Sequence, residues 1–349
     1  MLRPNRRHET DPVTWDRCAR EYEEGIVMGH PDVLAYENFE EDFLDALLLF
    51  LITQGHGPLR LLDAGCGSGR LHLRYGMKMT PESTGGTRGR IAFEPLMASG
   101  LAGVDGVDFS VEMLGLARRK LDAADFPPEV RRSLRLRHGS AFDPPPEFVK
   151  GLPVAVALCN TIGVMQGPEG ARRLFEALRR AVEPEGGVVV ISAYRLDAVA
   201  AYALSNYEST MNVSGQPCWL QPARFISQDA VPVPLEKKRA FDTGQCIRVA
   251  ERGADGGLCR ECVLERDPAA VAEAVATGHI RTHWDYESRW YSTERMAEWM
   301  GELWRGLPVW HVDGRRLDVL RAWPAQLAVL DAGDRLGEFF GRFGVPGGA

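Results

Sequence analysis

The 349 residues suffice for a full core and for two domains or one enlarged one. Apolar residues make up 45% and charged residues 26%, ordinary for a globular protein. Asp and Glu (48) outnumber Lys and Arg (41), a formal charge of -7, and no basic stretch exceeds Arg131-Arg132 or Lys237-Lys238-Arg239, which argues against nucleic acid as the main partner.

The first residues, MLRPNRRHETDP, are charged and lead into no apolar signal core. The most apolar run, Ala46 to Ile52, is too short to span a bilayer. Seven cysteines without regular spacing fit no disulfide framework, so the expectation is a cytoplasmic, reduced protein with no membrane partner. Cys259 and Cys262 lack a second pair for zinc and read as small apolar strand residues, and no His/carboxylate cluster has metal-ligand spacing.

Residues 11–52 read as helical. Thr14 caps WDRCAREYEE, and a second helix aligns Phe39, Phe43, Leu44, Leu47, Leu48 and Leu51 on one side. After the turn QGHGP a βα series begins. Its first strand, Leu59 to Ala64, is apolar apart from Arg60 and Asp63, as expected for a strand covered on both faces. GCGSGR and a helix follow, then a Gly/Thr-rich loop at Thr80 to Arg90. A second strand lies near Leu101 to Val107, and a helix capped by Ser110 points Met113, Leu114, Ala117 and Leu121 inward. Further strands fall at Leu134 to His138, Pro153 to Cys159 and Val188 to Ala193, with a helix packing Leu174, Phe175, Leu178 and Val182 before the last.

Five strands alternating with helices predict a doubly wound, mostly parallel Rossmann-like α/β sheet. From Tyr194 to Gly278 short alternating runs, prolines and turn pairs read as an inserted β-rich lid. A helix from Thr293 carries Met296, Trp299, Met300 and Leu303; LPVWHVD reads as an outer strand holding His311 and Asp313. A last amphipathic helix is expected over Pro324 to Phe340. The resulting division is a helical cap (1–58), a cofactor-binding core (59–194), a lid (195–280), the end of the core sheet (281–318) and a C-terminal helix with tail (319–349).

A glycine-rich turn after a strand fits several nucleotide-binding folds. In LLDAGCGSGR the glycines fall at 65, 67 and 69, letting the backbone turn tightly and approach a ligand. Arg70-Leu71 supplies no Lys-Ser/Thr pair for a phosphate loop. The last two glycines are spaced by two, where a dinucleotide fingerprint has three. With GVDFSVEMLGLAR (Gly106 to Arg118), this motif resembles the class I S-adenosylmethionine-dependent methyltransferases, over roughly Trp15 to Ala193. The resemblance implies a seven-stranded sheet and S-adenosylmethionine as cofactor. It implies that Gly65, Cys66, Gly67 and Gly69 cradle the methionine part, that Asp63 reaches its amino group through water, and that Asp108 accepts both ribose hydroxyls. Phe109 and Met113 would pack on adenine. Where the family often has Gly-Asp-Ala after its third strand, this chain has Gly139-Ser140-Ala141, so Ser140 and the Ala141 N–H would read the base. Asn160-Thr161 would face the sulfonium, and Tyr22 would close over the cofactor. The 39 residues from Gly69 to Asp108 are about twice the usual gap of ~20.

The expected activity is methyl transfer to a small-molecule acceptor in specialised metabolism. The alternative is a cyclase on the same fold, in which the cofactor's amino group displaces methylthioadenosine to form azetidine-2-carboxylate. A non-catalytic cofactor sensor is a third reading. Candidate catalytic residues are Asn160, Tyr194, His283 and Tyr22; His283 stands with Asp285 and Tyr286, walled by Trp284 and Trp290. Monomer or homo-oligomer is left open.

Overall fold

The computed structural model describes residues 15, 16, 19, 31–80, 100–165, 167–195, 211–213, 216–218, 224–226, 287–289, 291–313 and 325–347. Helix α1 (Pro31–Thr53) precedes strand β1 (Leu59–Ala64), α2 (Arg70–Met79) and β2 (Leu101–Asp108). Helices α3 (Val111–Ala123) and α4 (Pro128–Ser133) lead to β3 (Leu134–His138), then β4 (Leu152–Ala157), α5 (Gly167–Val182) and β5 (Val188–Tyr194). Short strands β6 (Met211–Val213) and β7 (Gln216–Cys218) pair antiparallel, and β8 (Arg224–Ile226) pairs parallel with β9 (Glu287–Arg289). The remaining elements are α6 (Thr293–Leu303), β10 (Val309–Asp313), β11 (Ala325–Asp331) and α7 (Gly337–Arg342).

Seven strands form one sheet in the order β10-β11-β5-β4-β1-β2-β3, a doubly wound Rossmann-like α/β fold. β1 to β5 run parallel; β11 is antiparallel to both β5 and β10. The chain leaves β1 toward β2 and β3 and returns to place β4 on the other flank of β1. The topological switch point, where such sheets bind ligands beyond their strand ends, therefore lies between β1 and β4.

The period-2 alternation of strand side chains divides the core. Leu59 and Leu61 of β1, Val154 and Val156 of β4, and Val188 and Val190 of β5 meet α1, α2 and α7. Leu62 and Ala64, Ala155 and Ala157, and Val189 and Ile191 meet α5 and α6 on the opposite face. Leu174, Phe175, Leu178 and Val182 of α5 are fully buried, each such burial contributing roughly 1.5–3 kcal/mol. Ser110 caps α3, its hydroxyl accepting from the Met113 N–H at 3.1 Å. Ser292 caps α6 in the same way through Arg295.

One expectation needs correction. The helix over Pro324 to Phe340 is absent: Ala325–Asp331 is a fully buried strand wedged between β5 and β10, and only Gly337–Arg342 is helical. AQLAVLD is apolar because both faces of a central strand are covered, and such a run has no periodicity to separate strand from helix. Asp313 lies on the edge strand β10, as expected, and is also tied to the core by an ion pair with buried Arg195 at 2.9 Å. Most of the lid expectation, the Thr80 to Arg90 loop beyond Thr80, and Cys259 and Cys262 lie outside the described residues. Among the described residues no helix is long and apolar enough to cross a membrane.

Candidate functional site

A cavity of about 420 Å³ opens at the C-terminal ends of β4, β1, β2 and β3, the size of an ordinary small-molecule site. Asp63, Gly65, Cys66, Gly67, Asp108, Phe109, Met113, Ser140 and Ala141, all assigned to the cofactor from sequence, line it together. Trp15, Glu37, Arg70, Phe142, Cys159, Thr161, Met165 and Arg173 line it as well.

The turn after β1 owes its shape to three left-handed glycines, at φ 87° (Gly65), 50° (Gly67) and 81° (Gly69). They serve different ends. A Cβ on Gly65 would stand 2.7 Å from Thr161, and one on Gly69 would stand 2.9 Å from Ala117 of α3. A Cβ on Gly67 would meet nothing within 4 Å. Gly67 is thus the glycine whose bare backbone faces open cavity. Gly69 does not line the cavity; it starts α2.

Asp108 fastens this turn. Its Oδ2 accepts from the Gly67 N–H and its Oδ1 from the Ser110 N–H, both at 2.8 Å. Each oxygen keeps a further lone pair, so the carboxylate can still accept from two ligand hydroxyls. Burial raises its pKa, while the N–H groups of Ser110, Gly67 and Phe109 oppose the rise. Asp16 anchors the chain nearby, accepting from the Ser110 hydroxyl at 2.6 Å and the Glu112 N–H at 3.1 Å at the start of α3.

Asp63 is 5% exposed, and no hydrogen bond reaches its carboxylate among the described residues. Burial pushes its pKa up to about 7; Arg70 pulls it down, and Asp108 and Glu40 add to the rise. A buried carboxylate without a partner is costly, so Asp63 is poised to receive a cationic or hydrogen-bond-donating group from the cavity.

Sequence reasoning missed the network behind Asp63. Arg70 bridges to Glu40 at 2.6 Å, with Glu41 at 3.5 Å and Glu37 at 3.9 Å. Glu40 is fully buried and also accepts from the Cys159 N–H at 2.7 Å and from the Ser192 hydroxyl, which in turn accepts from the Tyr36 hydroxyl at 3.0 Å. The one available signal was a line of acids, Glu37, Glu40 and Glu41, in a helix that is otherwise rich in buried apolar residues.

After β4 two non-glycine residues take the left-handed conformation, Cys159 at φ 53° and Asn160 at 55°. Such residues cost of order 1–3 kcal/mol each and persist only where surroundings hold them. Glu40 holds Cys159 through its N–H, Asn160 Oδ1 accepts from the Tyr194 N–H at 3.0 Å, and the Thr161 hydroxyl donates to Leu158 at 2.6 Å. The structure therefore directs Asn160 away from the cavity into this clamp. Tyr194 also does not line the cavity; its ring packs against Tyr36 at 4.6 Å between centroids. Ser140 accepts from the Phe142 N–H at 3.1 Å. Tyr22, His283, Trp284, Asp285, Tyr286 and Trp290 lie outside the described residues, while His311 is bonded to Gln326 at 2.9 Å, on β10 away from the cavity lining.

No family model matches the chain, and no curated protein does. Among solved structures, an S-adenosylmethionine-dependent methyltransferase from Clostridium acetobutylicum ATCC 824 is similar at 17% identity and TM-score 0.33, over 56% of this chain and 62% of that one. The glycopeptide N-methyltransferase MtfA complexed with S-adenosyl-L-methionine is similar at 21% identity and TM-score 0.27, over 40% and 49%. The small RNA methyltransferase HEN1 is similar at 13% identity and TM-score 0.40, over 82% of this chain and 25% of that one. This chain thus spans less than two thirds of each of the three. At these values the functional reading rests on the cavity's own residues.

Proposed function

We propose that this chain binds S-adenosylmethionine in the cavity at the β1/β4 switch point and transfers its methyl group to a small-molecule acceptor. The observation that carries the reading is the pair of buried carboxylates on adjacent strand ends. The Asp63 carboxylate has no hydrogen-bond partner among the described residues, and Asp108 keeps acceptor capacity beside the bare backbone of Gly67. These features fit a ligand with an ammonium group at one end and a ribose diol next to it. When bound, the cofactor supplies an electrophilic methyl on a sulfonium.

This chain's residues supply the rest. Asp63 takes up the ammonium directly or through water, Asp108 accepts from the diol, and Phe109 and Met113 form the wall for the base. The clamped turn at Cys159 and Asn160 fixes the cavity edge where an acceptor approaches, and alignment and exclusion of water are the main demands of this chemistry. Tyr22 as cap and His283 as acceptor-side base belong to the same proposal, as does a specialised biosynthetic role in the cytoplasm. Asn160 and Tyr194 enter it as positioning residues.

The test is calorimetric titration with S-adenosylmethionine and S-adenosylhomocysteine, followed by product analysis with labelled cofactor. Acceptor panels should include small molecules and, because one similar structure is a small RNA methyltransferase, short RNAs. Binding with S-adenosylhomocysteine formed only when acceptor is present supports methyl transfer. Methylthioadenosine formed without acceptor would assign the cyclase reaction instead, and no binding of either ligand removes the proposal.

A further inference from the structure

Helix α3 starts where three parts of the chain meet. Ser110, its N-cap, gives its N–H to Asp108 Oδ1 at 2.8 Å. The Ser110 hydroxyl oxygen accepts from the Met113 N–H at 3.1 Å, and its single proton goes to Asp16 Oδ1 at 2.6 Å. The same Asp16 oxygen accepts from the Glu112 N–H at 3.1 Å. A serine suffices to cap a helix, so Asp16, 94 positions away in sequence, is added to a cap that is already made.

Asp16 brings Trp15 with it. Trp15, Asp16 and Ala19 are helical, and residues four apart share a helix face. Ala19 is buried and Trp15 lines the cavity, so the face that both occupy is turned toward the protein, with Asp16 at its side. Trp15 and Asp108 are therefore two walls of one cavity, fastened through Asp16 and Ser110 to the same helix end.

Ser110 stands between two carboxylates, its N–H on one and its O–H on the other. Burial raises the Asp108 pKa, and the Asp16 charge adds to the rise, so the two acids repel across the serine. A ligand hydroxyl donating to Asp108 disperses part of that charge, and the repulsion felt by Asp16 falls with it.

We propose that Asp16 is a positioning residue for the ligand: seated on the first turn of α3, it holds Trp15 as a cavity wall, and its hold tightens when Asp108 is engaged. The inference rests on the proposed function, which supplies the ligand hydroxyls at Asp108. Linkage makes the effect reciprocal: whatever factor the ligand adds to the seating of Asp16, the seating adds to the affinity for the ligand.

The experiment follows amide hydrogen exchange at Glu112 by NMR, with Ser110 and Met113 as internal references, in the free chain and with saturating S-adenosylhomocysteine. In the wild type Glu112 is expected to exchange slowly when free and about fivefold more slowly when saturated, at the low end of ordinary coupling between sites. Asp16→Ala is expected to lose the Glu112 protection in both states, to keep that of Met113, and to bind S-adenosylhomocysteine about fivefold more weakly, with the loss in the dissociation rate. Trp15→Ala is expected to keep the Glu112 protection of the free chain and to lose affinity as Asp16→Ala does. Asp16→Asn, which keeps an acceptor oxygen, is expected to restore Glu112 protection and to bring affinity back to within about twofold of wild type. Glu112 exchange that is the same in the free and saturated wild type would reduce Asp16 to a helix cap and overturn the proposal with ligand binding intact. Wild-type affinity in Asp16→Ala would overturn it as well. Failure of S-adenosylhomocysteine to bind the wild type would remove the proposed function and this inference together, a signature distinct from either.

Discussion

The two ends of the cavity are built on opposite principles. The end beneath α1 is crowded with charge: Asp63, Glu37, Glu40 and Glu41 surround Arg70, and Glu40 is fully buried with hydrogen bonds to two other segments. The end beyond β3 is a short self-closed turn with an exposed arginine on a phenylalanine ring. Charge buried in a connected network positions a ligand rigidly and couples its site to folding, whereas an exposed donor surface tolerates variation in what it holds. Substitutions should therefore damage stability at the first end and selectivity at the second.

The largest expected effect is at Glu40. Glu40→Ala leaves Arg70 without its shortest ion pair and the Cys159 N–H without its acceptor, and should lower unfolding free energy by about 3–5 kcal/mol, as breaking one side of a buried pair does. Denaturant titration measures it; a loss confined to activity would mean that the network only decorates the site. Next comes Asp108→Ala, expected to weaken S-adenosylhomocysteine binding about 100-fold, the ~2.8 kcal/mol that charge-assisted bonds to a ligand are worth. Titration calorimetry reads this, and an unchanged affinity would remove Asp108 from the ligand site.

The pH dependence follows from Asp63. Its folded pKa near 7 lies above its ordinary carboxylate value of 3.8. Its contribution to stability is complete below the unfolded pKa and is lost as pH rises toward 7, because the folded state binds the extra proton. Ligand affinity runs the other way. A ligand ammonium favours ionised Asp63, so affinity should rise about tenfold from pH 6 to 8 and level off, with uptake releasing a proton. Titration in buffers of different ionisation enthalpy detects that proton, and Asp63→Asn should abolish it. The smallest effect separates support from chemistry at Asn160. Asn160→Gly should be more stable than Asn160→Ala by about 1 kcal/mol, because glycine accepts the left-handed conformation freely. Equal stabilities with a loss of turnover alone would return Asn160 to the catalytic list.

The same contrast governs what could be read in advance. The glycine turn, Asp63, Asp108 and the Ser110 cap were legible because each is local: strand, turn and helix N-terminus follow one another within a few residues. Arg70's partners lie some 30 residues away on α1, and neither helix marks them. Asn160 was legible as a position after β4, yet its direction depends on a φ of 55° that no pattern of residue types announces. Strand β11 was read as helix because burial on both faces erases the alternation that betrays a half-exposed strand. Arg173 falls on the exposed side of an amphipathic helix, where an arginine is unremarkable until Phe142 is placed beneath it.

Asp108 holds the Gly67 and Ser110 amides through bonds made wholly within the protein. The conformational entropy of the glycine turn is thus surrendered when the chain folds, and a ligand arrives at a receptor that has already stopped moving. Hydrogen exchange at those two amides should be slow in the free protein and change little on saturation, while the turn after β3, whose Ala141 amide has no partner among the described residues, should be where protection appears. Affinity at one end then comes from rigidity acquired during folding, and adaptability at the other from order acquired only on encounter.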